Sequence, residues 1–299
     1  METMRERFVA VSGELLDERK DIALVLADIG VSQFDARHAR RIYNVGIREQ
    51  LLIGFGAGLA LEGFRPVMHS YAPFLVERPF EQLKLDFGHQ GVGGVFVSVG
   101  ASHDWASGGR THHSPGDMAL LRTLPKWRLQ VPGHPDEVAT LYRQAVDSTE
   151  CVYLRLAEDT NTHAYPGGLN GLRVVRDAGP AAPTVVAVGP MLDRVLAATA
   201  DMDVKVLYTT TPHPLDQAGL RSAVTGPDVV LVEPYLAGTS AAAFNEALQD
   251  RPHRLLAIGH PIDELRNYGE RGDYDKALGL DTGGIRKRLA HFLTARAAA

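Results

Sequence analysis

A chain of 299 residues has room for two domains of ordinary size. A composition of 45% hydrophobic and 22% charged residues is that of a water-soluble globular protein, and 31 Lys plus Arg against 36 Asp plus Glu leaves a formal charge of −5, a poor match to a nucleic-acid-binding surface. One cysteine, Cys151, rules out an intrachain disulfide framework, and the longest apolar run, residues 51–61, is too short and too rich in glycine to span a bilayer. No apolar segment stands behind the N-terminal Met-Glu-Thr-Met-Arg-Glu-Arg, so a cytoplasmic protein without a signal peptide is expected.

In chain order, residues 22–27 (IALVLA) form the first short apolar run and end at Asp28-Ile29-Gly30. Gly46 then marks a turn that feeds a helix through residues 51–58. Residues 95–99 (VFVSV) end at Gly100, a helical pattern covers 135–145, and residues 151–156 (CVYLRL) form a further run. Short apolar runs bounded by turn residues predict strands buried on both faces of a parallel sheet, with helices as crossovers. Residues 161–183 are rich in Gly, Asn and Pro without sustained periodicity and predict a connection between domains. Beyond it, strand patterns at 184–188, 204–208, 228–232 and 254–258 alternate with helical stretches at 193–200 and 238–249. The expected organisation is a doubly wound α/β domain over residues 1–165, a linker over 166–183 and a smaller α/β domain over 184–299.

The most informative stretch is residues 41–63, RIYNVGIREQLLIGFGAGLALEG. Gly54, Gly56 and Gly58 alternate with apolar residues along the predicted helix. A helix apolar nearly all round predicts burial. Each glycine costs about 0.5–1 kcal/mol against alanine, so three of them predict close approach of another backbone, often another helix. Glu49 stands in the first turn, beside that contact. It either complements the helix N-terminus or serves as an acid in an apolar cleft, and it needs a partner or its pKa rises.

Five segments, in order, resemble the C-terminal part of transketolase. Residues 41–50, from Arg41 through Gly46-Ile47-Arg48-Glu49-Gln50, are similar to R-x-x-x-x-G-I-x-E-Q. Phe74, Arg78 and Gln82 fit F-x-x-x-R-x-x-x-Q, and Gly109-Arg110-Thr111-His112 fits G-x-T-H. Residues 122–132 resemble the family's L-R-x-I-P…V-x-x-P segment, and Val232-Glu233 opens a stretch like V-E-E…G-G. The resemblance covers nearly the whole chain. It is strongest to separately encoded C-terminal sections of transketolase, and reaches deoxyxylulose-phosphate synthase and the β subunits of 2-oxo acid dehydrogenases.

The resemblance implies a pyrimidine-binding domain followed by a transketolase C-terminal domain, with thiamine diphosphate as cofactor. Glu49 would hydrogen-bond N1′ of the aminopyrimidine and favour the imino tautomer that takes the proton from C2. Phe74, with Tyr71 nearby, would stack on the pyrimidine. Arg78 would approach it or pair with a carboxylate, and Asp28-Ile29 would lie near the thiazolium. His112, then His103, would meet the substrate, with Asp104 and His113 in the same loop. Arg155 would bind a substrate phosphate or form a structural ion pair. The adjacent His112 and His113 do not have metal-site spacing, and no metal ligand is expected on this chain.

Two departures bear on the reaction. Gly108 stands where transketolases carry an acidic residue that meets a sugar hydroxyl, and the loop from His103 to Thr111 is shorter than usual and contains Trp105. An altered donor follows, with Asp104 a candidate replacement. The sequence also lacks the Gly-Asp-Gly motif that holds the diphosphate and Mg²⁺. The resemblance therefore implies a separately encoded subunit carrying that motif, and an α₂β₂ assembly for ketol transfer between sugar or sugar-phosphate substrates. The alternatives are a deoxyxylulose-phosphate-synthase-like or 2-oxo-acid-decarboxylating subunit, and a non-catalytic structural or regulatory partner.

Overall fold

The buried apolar runs become the strands of two sheets. A computed structural model describes residues 2–165, 171–264 and 266–295. The first sheet consists of β1 (Ile22–Leu26), β2 (Ile42–Asn44), β3 (Arg65–Tyr71), β4 (Gly94–Val99), β5 (Trp127–Gln130) and β6 (Cys151–Arg155), in the order β2-β1-β3-β4-β6-β5 and parallel throughout. Alternate residues along each strand point to opposite faces. Leu24, Val67, Val95 and Val97 pack under helix α1 (Met4–Glu18) and the helix Pro135–Asp147. Val25, Met68 and Phe96 pack under α2 (Glu49–Leu61) and two π-helical turns, Pro73–Glu77 and Leu83–His89.

The second sheet holds β7 (Arg173–Arg176), β8 (Thr184–Val188), β9 (Lys205–Thr209), β10 (Asp228–Leu236) and β11 (Arg254–His260), in the order β11-β10-β8-β9-β7. β7 runs antiparallel to β9 and closes that edge. This corrects the expected linker: residues 173–176 belong to the second sheet, and 166–170 lie outside the described residues. Their sequence, RVVR, is too short and too charged to announce a strand, which forms because β9 offers an open edge. The two sheets share an apolar core. Leu129 and Val131 of the first domain pack with Val186 and Leu207 of the second, and their backbone N–H groups donate to His213 O and Thr210 O at 2.8 and 2.7 Å. Among the described residues no helix is long and apolar enough to cross a membrane.

Helix α2 departs from the expectation of burial all round. Gly56 does need its missing side chain, but against a side chain of the sheet and not another helix: a Cβ there would stand 2.6 Å from Met68 Sδ. The opposite face is open. Leu51, Gly54, Gly58 and Leu61, spaced by three and four residues, share that face, and Ile47 precedes the helix by two residues. Ile47, Leu51 and Leu61 are 68%, 50% and 58% exposed, and a Cβ on Gly58 would meet nothing within 4 Å. The sequence periodicity is that of a covered helix, and this chain covers only half of it.

Candidate active site

The carboxyl ends of β1, β3 and β4 converge where the strand order turns back, β2 lying to one side of β1 and β3 to the other. Open α/β sheets bind ligands in the crevice outside such a point. Asp28 follows β1 with φ +66°, a left-handed conformation uncommon outside glycine. Its backbone N–H donates to Asn44 Oδ1, and Asn44 Nδ2 donates back to Asp28 Oδ1, both at 2.9 Å. Asn44 Oδ1 also accepts from Gly46 N at 3.0 Å. These bonds fix the turn at Gly46 (φ +70°), from which α2 starts with Glu49 as its first residue. Ile29 packs beside the first-domain core.

Glu49 is only 2% exposed. Its partner is Arg78, whose Nη1 donates to Oε2 at 3.0 Å, while Ser70 Oγ lies 3.5 Å from Oε1. Arg78 also lies 3.7 Å over the ring of Phe74. Phe74 and Arg78 stand four residues apart across the π-helical turn after β3, Arg78 as its cap, and so lie on one side of it. Phe74 meets His112 edge-on at 5.1 Å, and Tyr71 and Trp105 complete an aromatic group around that histidine, Trp105 at 4.4 Å from it. Gly108 has a local reason: a Cβ there would stand 3.0–3.1 Å from the His112 side chain, which would have to shift by a few tenths of an ångström to admit it.

Beside Tyr71 and Trp105 opens a cavity of about 490 Å³, reached by Arg5 from the first turn of α1 and by Glu158. Arg5 Nε is buried without a hydrogen-bond partner. Neither Arg5 nor Trp105 was singled out as a site residue from sequence. The Thr3-x-x-Glu6 capping box does announce the helix that brings Arg5 there.

The other expected substrate residues lie elsewhere. Arg155 is fully buried; Nε donates to Asp117 Oδ2 and Nη2 to Ser102 Oγ, each at 2.7 Å. This is the structural ion pair, the other of the two expectations for Arg155; its Nη1 is buried without a hydrogen-bond partner. A guanidinium at the end of a buried strand needs a counter-charge, and Asp117 provides it. His103 turns toward the second domain, with Nε2 at 3.0 Å from Asp275 Oδ1 and Nδ1 at 2.8 Å from His260 Nε2. His113 is fully buried, edge-on to Tyr274 at 5.2 Å. Asp104 Oδ2 accepts the backbone N–H groups of Ala101 and Glu158, both at 3.0 Å, and braces the loop. In the free chain His103 and Asp104 are thus held by hydrogen bonds within the fold, whereas both ring nitrogens of His113 are buried without a hydrogen-bond partner. Glu49, Arg78, Phe74, Tyr71 and His112 come together in one place.

The family described as transketolase, pyrimidine binding domain, matches residues 2–162. A curated relative, an uncharacterized 33.6 kDa protein in the fasciation locus of Rhodococcoides fascians, is 44% identical over 95% of this chain and 92% of its own length. The 1-deoxy-D-xylulose-5-phosphate synthase 2 of Geobacter sulfurreducens is 31% identical over 95% of this chain but 46% of its own length, so the chain spans about half of that synthase. Among solved structures, a split gene transketolase described as an inactive β4 tetramer superposes with a TM-score of 0.85 at 23% identity over 98% of both chains. The transketolase of Campylobacter jejuni does so with a TM-score of 0.78 at 15% identity, over 97% of this chain and 46% of its own. These two likenesses show the fold, and the family match and the sequence relatives show the descent: the chain belongs to the transketolase pyrimidine-binding family of thiamine diphosphate-dependent proteins.

Proposed function

We propose that this chain is the pyrimidine-side half of a transketolase-like enzyme that transfers a two-carbon ketol unit between sugar or sugar-phosphate substrates. It would work only with a separately encoded subunit, in an α₂β₂ assembly. The observation that carries this reading is a desolvated carboxylate, Glu49, set beside the Phe74 ring at the open end of a parallel sheet. Those residues suit an aminopyrimidine: a carboxylate to hold a ring nitrogen and an aromatic face to stack on. Tyr71 would flank the same ring, and Asp28 and Ile29 the thiazolium end. Bound there, thiamine diphosphate would supply the nucleophilic carbon that accepts the ketol unit. Glu49, kept from water by its burial, holds a proton at N1′. Arg78 covers Phe74 and pairs with Glu49, so it gives up its place on the ring when a heterocycle stacks there. His112 faces substrate hydroxyls or a developing oxyanion, and Arg5 rather than Arg155 is placed to meet an anionic substrate group. Mg²⁺ and the diphosphate would be held by the partner, since no Gly-Asp-Gly occurs in this chain.

The open face of α2 supports the need for a partner. A deoxyxylulose-phosphate-synthase-like reaction is the second reading, favoured by 31% identity to synthases against 15–23% to transketolases of known structure. Thiamine diphosphate binding, measured for this chain with and without a co-expressed subunit carrying Gly-Asp-Gly, tests the split. Tight, Mg²⁺-dependent binding by this chain alone overturns it. Glu49→Gln in the assembled enzyme should abolish turnover while assembly persists; unchanged turnover means a non-catalytic role.

A further inference from the structure

The loop that carries Trp105 and His112 leaves β4 in the first domain, yet its outer supports come from the second. Ser102 Oγ donates to Pro234 O at 2.6 Å, and Leu236 N donates to Pro115 O at 2.8 Å, so β10 grips both ends of the loop. Between those ends, His103 sits in a hydrogen-bonded chain. Asp275 is a carboxylate acceptor: burial raises its pKa, but bonds from His103 and Arg194 outweigh that and hold it below the usual carboxylate range. His103 Nε2 therefore donates to Asp275, and its Nδ1 shares a hydrogen bond with His260 Nε2. Burial pushes His260 down to about 3, so its ring is neutral and suited to that bond. Tyr274 stacks on His103 at 5.5 Å and meets His113 edge-on. Farther along, Arg110 Nε donates to Glu264 Oε1 at 2.8 Å, and Gly109 (φ +71°) passes under Tyr268, whose ring a Cβ would approach to 2.5 Å.

None of these second-domain side chains is among the group around Glu49. They act on the loop from behind, and the loop's front face is the Trp105–His112 wall beside Phe74 and Tyr71. We infer that His260, Tyr274 and Asp275 are positioning residues: the second domain is the mould that sets the Trp105–His112 wall and thereby the shape of the substrate pocket. The wall's role in substrate selection rests on the proposed function, whereas the mould itself is a property of the free chain. Hydrogen bonds and ring contacts through His103 fix the loop's path where its own short turns, Ala106–Gly108 and Arg110–His112, give little rigidity.

Trp105 offers a reading of the wall that needs no cofactor or partner. With Trp127→Phe as background, Trp105 is the only tryptophan in the chain. In that background, Asp275→Asn and Tyr274→Leu should shift Trp105 emission to the red and increase its quenching by acrylamide. Val230→Ala, a cavity in the second-domain core away from the loop, should lower stability without either change. Unaltered Trp105 emission and quenching in both loop-support variants, or an equal change in Val230→Ala, overturns the inference. In the assembled enzyme, Tyr274→Phe should restore the substrate KM that Tyr274→Leu raises, since the ring is kept, and kcat should change less than KM. A shifted Trp105 signal alongside a fully active Glu49→Gln enzyme would leave the mould standing and remove the proposed chemistry.

Discussion

Alanine at Gly58 and alanine at Gly56 should move the stability of the free chain in opposite directions, though the two positions are half a turn apart on one helix. At Gly58 an added Cβ meets nothing within 4 Å, so the substitution removes only the helical cost of glycine and should stabilise the chain by about 0.5–1 kcal/mol. At Gly56 the same methyl group would stand 2.6 Å from Met68 Sδ and 3.2 Å from its Cγ. Met68 is a fully buried residue of β3 packed under α2. Overpacking of that kind costs about 1–3 kcal/mol, more than the helical gain. Urea unfolding of the free chain, followed by circular dichroism, should therefore place Gly58→Ala above the parent and Gly56→Ala below it. Titration with the partner subunit should then show the reverse merit of Gly58→Ala: a methyl group that is harmless in the free chain weakens association if another helix lies across the glycine. A lower urea midpoint for Gly58→Ala would show that the face is already covered, and unchanged partner affinity would refute docking there.

Asp117→Asn should cost about 3–5 kcal/mol, because it leaves the Arg155 guanidinium buried without a counter-charge; chemical denaturation checks this, and an unaffected midpoint would return Arg155 to the candidates for substrate binding. Arg5→Gln should leave the fold intact and raise KM for an anionic substrate of the assembled enzyme by about tenfold to a hundredfold, the worth of one charge-assisted hydrogen bond. An unchanged KM would place the anion elsewhere. Glu233 accepts the backbone N–H groups of Gly238 and Ser240, yet burial pushes its carboxyl up to about 7. The folded chain thus holds this proton through a range, from about pH 4 to about 7, in which the unfolded chain has lost it, and the group's contribution to stability declines as pH rises through that window. Glu233→Gln, which keeps an acceptor and cannot ionise, should gain stability relative to the parent by up to about 3 kcal/mol between pH 5 and 8. A pH-independent difference would refute the shift.

Much of the fold was legible because its strands are buried on both faces and read as unbroken apolar runs. The expected strands at 22–27, 95–99, 151–156 and 184–188 coincide with β1, β4, β6 and β8 to within a residue. β3 escaped notice because it opens with Arg65-Pro66 and carries His69 and Ser70. Both polar residues are fully buried, and His69 Nδ1 lies 2.8 Å from Val97 O, a partner that only the adjacent strand can supply. In the candidate site, what sequence revealed depended on how local the geometry is. Phe74 and Arg78 lie four residues apart on one π-helical turn and their spacing carries them together, and Glu49, the first residue of α2, was legible from its own motif. His103 and His112 are nine residues apart on a single loop, and spacing could not say that one faces the second domain and the other Phe74. That division is set by Asp275 and His260, more than 150 residues farther along the chain.

The uncovered face of α2 and the buried carboxylate at its start are parts of one arrangement. Ile47 opens the exposed stripe only two residues before Glu49, and Leu51 follows two residues after it. A surface docked along that stripe reaches the turn from which Glu49 projects, so on the proposed reading partner binding and completion of the crevice are a single event. The free chain already supplies a carboxylate, an aromatic face, a histidine wall and a cation, each from a different element at the carboxyl ends of one sheet. It lacks a wall on the side where α2 is bare. On the proposed reading, the apolar periodicity that predicts a buried helix would be satisfied in the assembly, and the face the lone chain leaves exposed would be where the other half of the active site docks.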